Sequence, residues 1–124
     1  QSAINPSEML PAIAQGAIGI EWREADKKTA DILKKIHHEE TAQQLNAERA
    51  FLAELDGSCQ TPIAGLATIE GSSLKLTGQV LRTDGSDSIS ETASSNIEDG
   101  PELGRELAQK ILAQAGPNFF DWRD

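Results

Sequence analysis

Cys59 is the residue whose type most invites chemistry. It stands in Gly57-Ser58-Cys59-Gln60-Thr61-Pro62, just past the expected end of a helix, in a stretch with the flexible backbone of an exposed loop. A lone cysteine is most often a small buried hydrophobe, and the loop position weakens that reading. Thiolate chemistry needs access and nearby positive charge, yet the immediate flanks hold no Lys or Arg. Arg49 comes next. It lies four residues after Leu45 and three before Leu52, so it projects along an expected apolar stripe. There it either snorkels its stem over the core or holds an anion. Arg23, in Glu21-Trp22-Arg23, is divided in the same way between a solvated face and an anion site.

Two further groups carry less. His37 and His38 are adjacent, and adjacent helical residues do not share a face, so both cannot aim at one metal. Helix-end packing accounts for them better. Gln15-Gly16-Ala17-Ile18-Gly19 hints at phosphate binding by its glycine spacing, but it lacks the full Gly-x-Gly-x-x-Gly pattern and a following helix. No nucleophile elbow, Walker motif or convincing carboxylate pair is present. A catalytic mechanism does not follow from these residues alone.

The elements that must position them can be read from periodicity. Residues 9–20 are apolar but broken by Pro11, Gly16 and Gly19, which predicts a loop and a short strand. A helix is predicted over 26–36, capped by Asp26, with Thr29, Ile32, Leu33 and Ile36 on one face. A second runs from Glu39 to about Leu55, where Glu39 and Glu40 complement the helix dipole and Ala42, Leu45, Leu52 and Ala53 form the stripe. Asp56-Gly57-Ser58 ends it. Strands are predicted over 61–69, 73–82 and 87–94, joined at Gly71-Ser72 and Asp84-Gly85. A last helix starts at Pro101, carries Leu103, Leu107, Ile111 and Ala115 on one side, and stops at Gly116-Pro117. The expected fold is α+β, a three-stranded antiparallel sheet with helices packed on one face.

Composition narrows the function. The chain has 124 residues, 38% of them hydrophobic and 25% charged, which suits one folded domain. It carries 20 Asp and Glu against 11 Lys and Arg, a net charge of −9, and this acidity argues against nucleic acid or an anionic membrane as partner. One cysteine excludes an internal disulfide, and with two adjacent histidines it is a poor zinc set. The first residues are Gln1-Ser2-Ala3 rather than Met, which reads as a piece of something longer.

Three segments together resemble the C-terminal part of the porphobilinogen deaminase (hydroxymethylbilane synthase) family. They are Leu10-Pro11-Ala12-Ile13-Ala14-Gln15-Gly16-Ala17-Ile18-Gly19-Ile20-Glu21, the run from His37-His38-Glu39-Glu40-Thr41-Ala42 to Ala47-Glu48-Arg49-Ala50-Phe51-Leu52, and Leu55-Asp56-Gly57-Ser58-Cys59-Gln60-Thr61-Pro62-Ile63-Ala64-Gly65. The resemblance continues through Asp84-Gly85-Ser86 into the last helix.

The resemblance implies a cytoplasmic, monomeric transferase that joins four porphobilinogen units head to tail with release of ammonia. It implies a dipyrromethane cofactor held by a thioether, with Cys59 at the attachment position. Arg23 and Arg49 match family arginines that hold pyrrole acetates and propionates, for which a bidentate guanidinium suits better than an ammonium. Gln15 and Gly16 match a hinge-side segment beside the cofactor. The family's catalytic aspartate belongs to its first domain, so no catalytic residue is expected here, and no metal. By the same resemblance residues 1–37 are a remnant of the preceding domains and hinge, and 38–124 are the cofactor-attachment domain. The partners are then porphobilinogen and the other two domains of the same chain. Two positions depart from the pattern: Ala14 and Ser58 each stand where the family commonly has Gly. The competing reading is a stand-alone binding or regulatory α+β module in which Cys59 is structural.

Overall fold

The computed structural model describes residues 2–56, 62–116 and Phe119. Helix α1 spans Lys27–Leu33 and is capped as expected. The Asp26 carboxylate accepts the Thr29 amide at 3.0 Å and the Thr29 hydroxyl at 2.7 Å. It is shorter than the predicted 26–36, and residues 34–36 turn instead. Helix α2 spans Glu39–Glu54, with His38 as its N-cap accepting the Thr41 amide through Nδ1. His37 Nε2 lies 3.1 Å from the Glu39 carboxylate, so both histidines have a helix-end role. Leu55 closes α2, and Asp56 follows at φ +57. A short polar side chain tolerates that left-handed position, which glycine more often fills.

Strands β1 (Ile63–Glu70), β2 (Ser73–Leu81) and β3 (Ser88–Asn96) form an antiparallel meander in the order β1-β2-β3. Gly71 at φ +63 makes the first two-residue turn. Gly85 at φ +75 lies in the longer second connection, residues 82–87, where its amide donates to the Arg82 carbonyl and the Asp84 carboxylate accepts the Ser86 amide. Registers of Ile63 with Val80 and Val80 with Ile89 put alternate residues of all three strands on one face. Helix α3 spans Gly100–Ala115, with Pro101 in its first turn and Gly116 at φ +76 after its end.

Helices α2 and α3 cover the apolar face of the sheet. Phe51 and Leu55 of α2, Leu74, Leu76 and Val80 of β2, and Leu107 and Ile111 of α3 are all buried in one cluster. Burying a side chain of this size stabilises by roughly 1.5–3 kcal/mol. Two glycines permit the close packing. The Phe51 ring occupies the space where a side chain on Gly78 would project, and Gly104 lets α3 approach the Ala47 carbonyl and Phe51 amide of α2. The opposite face is polar, with the hydroxyls of Thr77 and Thr92 paired at 3.1 Å. Phe119 also joins the core, with the Arg82 guanidinium 5.9 Å above its ring; this gives the tail an anchor that the sequence did not suggest.

The apolar face of α2 differs from the predicted stripe. Ala47, Phe51 and Leu55 are buried, whereas Leu45 and Leu52 are half-buried and Ala53 is exposed. The larger Phe51 decides the helix orientation, since it has the most apolar surface to remove from water.

Candidate functional site

An open cleft of about 300 Å³ lies between residues 11–17, the start of α2 and the free edge of β1. Sequence predicts a loop and a short strand over residues 9–20, and in the segment 11–17 the strand is reduced to a single bridge followed by a turn. Ala12 pairs with Ala64, and the Pro11 carbonyl accepts the Gly65 amide at 3.0 Å. Beyond the bridge the chain turns sharply, with the Gln15 amide donating to Ala12 and the Ala17 amide to Ala14. Ala14 at φ +61 and Gly16 at φ +81 supply the left-handed residues this requires. Ala14 is the position expected to be glycine, and the structure gives the reason: no Cβ is comfortable there.

Glu48 closes the arrangement from α2. Its Oε1 accepts the Ala14 amide at 2.8 Å and its Oε2 accepts the Ala67 amide at 3.0 Å. The carboxylate therefore satisfies an edge amide of β1 that has no strand to bond. Gln15, Gly16, Thr41, Gln44 and Thr68 complete the rim.

Of the residues singled out in the sequence, Gln15 and Gly16 are on this rim and exposed to solvent. Arg49 is exposed as well, rather than lying along the buried stripe. Burial of Ala47 and Phe51 turns Glu48 inward, and the next residue, about 100° further round the helix, turns out. Arg23 is exposed in the turn before α1, where its carbonyl accepts the Asp26 amide. Among the described residues neither arginine has an ion pair or a side-chain hydrogen bond. Cys59 lies outside the described residues; its described neighbours in sequence are Asp56 and Pro62, whose carbonyl accepts the Leu81 amide at 2.9 Å. Glu48 itself was missed. The available signal was a charged residue in helical register with Phe51 and Leu55.

Residues 42–113 match the family model of the porphobilinogen deaminase C-terminal domain. The chain belongs to the porphobilinogen deaminase family. It is 49% identical over 122 residues to the porphobilinogen deaminase of Paracoccus denitrificans, covering 98% of this chain and 39% of that protein. It is 44% identical over 118 residues to the porphobilinogen deaminase of Maridesulfovibrio salexigens, and 47% identical over 105 residues to that of Moorella thermoacetica. The chain thus spans between 34% and 39% of the length of these relatives. Within this porphobilinogen deaminase domain the matched span runs from the first turns of α2 through the sheet and most of α3. It takes in Arg49 and the sequence position of Cys59.

Proposed function

We propose that this chain is the cofactor-bearing part of a transferase that condenses four porphobilinogen units into hydroxymethylbilane in tetrapyrrole biosynthesis. Each addition joins two pyrrole units and releases one ammonia. The observation that carries this reading is the family match spanning the sequence between α2 and β1, with a single cysteine at the attachment position. Cys59 is then the thioether anchor of a dipyrromethane cofactor. A soft sulfur nucleophile suits such a permanent bond. When bound, that group supplies the primer for chain growth.

The described residues fit an acidic pyrrole in one respect: the guanidiniums of Arg23 and Arg49 are exposed and carry no carboxylate among them. Their role is to hold acetate and propionate groups. Gln15 and Gly16 flank the cofactor from the hinge side. Residues 1–37 belong with the preceding domains and hinge, and 38–124 form the attachment domain. The exposed apolar side chains of the first part support that division. The enzyme works as a cytoplasmic monomer.

Proton transfer at the pyrroles and most substrate contacts belong to the domains outside these 124 residues, so the chain alone is inactive. Porphobilinogen consumption tests the reading. The intact polypeptide should consume it with release of ammonia and the 124-residue chain should not; an inactive intact polypeptide overturns the proposal.

A further inference from the structure

Glu48 is 4% exposed and has no ion pair among the described residues. The proposed chemistry gives it no task. A buried carboxylate is costly unless its oxygens are well satisfied, and here each oxygen takes one backbone amide from a different part of the chain. Plugging the edge of β1 explains the bond to Ala67 alone. The other bond goes to Ala14, an alanine in left-handed backbone, which persists only where the surroundings hold it. One residue further on is Gln15, then Gly16 at φ +81. Pro11 and Ala12 are tied to β1 by their own backbone bonds and the Ile13 side chain packs against the core; beyond them Glu48 ties the turn itself through the Ala14 amide.

We propose that Glu48 is a positioning residue: it clamps the Ala14–Gly16 turn to the edge of β1 and thereby sets Gln15 and Gly16 at the rim of the cleft. The consequence for turnover rests on the cofactor-side role proposed for those two residues, whereas the clamp itself does not.

Glu48→Gln in the intact polypeptide separates the two. The carboxamide keeps the shape and one acceptor oxygen but turns an NH2 group toward the other amide. Hydrogen exchange read by segment should quicken about tenfold in residues 11–17 or 64–69, with 100–115 unchanged. Porphobilinogen turnover should fall through kcat with KM near the original value, and adding Ala14→Gly should restore part of it by relieving the strained backbone. Unchanged exchange in both segments overturns the clamp, and quickened exchange with unchanged kcat overturns the positioning role. If Glu48→Gln does not fold, the unsubstituted protein still decides: slow exchange at the Ala14 amide upholds the clamp and free exchange there refutes it. If the unsubstituted protein consumes no porphobilinogen, the functional reading fails while the exchange measurements still judge Glu48.

Discussion

Between Lys27 and Leu33, and again between Gly100 and Ala115, the chain builds a helix with apolar residues on one side. In α3 that side is covered: Leu103, Leu107 and Ile111 are buried against α2 and the sheet. In α1 no residue is buried, Ile32 is largely exposed, and Ile36 just beyond is 69% exposed. Ile18, Ile20 and Trp22 alternate in the irregular stretch before it, and all are exposed, Ile18 by 91%. The same local rules operate in both regions. Periodicity decides which side of an element is apolar, but burial needs a second surface; among the described residues α2, the sheet and α3 provide one for each other, joined by Phe119 and the half-buried Ile13.

The largest effect that can break this comparison is a pair of truncations in the 124-residue chain. Phe51→Ala empties the centre of the core and should cost about 3–5 kcal/mol. Ile18→Ala removes a side chain that touches little and should change stability by no more than about 0.5 kcal/mol. Urea unfolding of both variants is the check, and comparable losses would mean that the two regions share one core.

A smaller effect sharpens the boundary between the regions. Ala14→Gly relieves a left-handed alanine while retaining the amide that Glu48 accepts, and should stabilise by about 0.5–1 kcal/mol, after allowance for the greater freedom of glycine in the unfolded chain. Differential scanning calorimetry should register a higher Tm. A lower one would mean that the turn does not need positive φ.

The smallest effect lies within the covered region. Hydrogen bonds from Gln114 and Lys110 of α3, helped by the Lys110 charge, hold the Glu91 carboxyl below its ordinary range. A carboxylate with a folded-state pKa depressed in this way adds stability above its unfolded pKa, and that stability is lost as pH falls through the folded value. Glu91→Gln should therefore flatten the acid limb of the stability–pH curve. An unchanged limb would show that the contacts between β3 and α3 do not depend on this charge.

Most of the fold was legible because strong local signals coincided. Asp26 capping, Pro101 opening a helix, Gly71 and Asp84-Gly85 turning the strands, and the two-residue period of Leu74, Leu76 and Val80 all act over a few residues. The orientation of α2 was not legible in that way. It depends on the fit of Phe51 over Gly78 and of Ala47 beside Gly104, which are contacts between distant parts of the sequence. Glu48 was hidden for the same reason, since its partners Ala14 and Ala67 lie 34 and 19 residues away. Of the candidate site, Gln15 and Gly16 were found by motif and lie on the cleft rim. Arg23 and Arg49 were found as unplaced cations and are exposed, and Cys59 falls outside the described residues.

The intact mass of the full polypeptide tests the cofactor-bearing role of this domain most directly. With Cys59 present, the protein should exceed its sequence mass by one dipyrromethane group, and Cys59→Ser should return it to the sequence mass with the fold retained. An unmodified mass for the protein that carries Cys59, or an added group that survives Cys59→Ser, would contradict the assignment of Cys59 as the anchor.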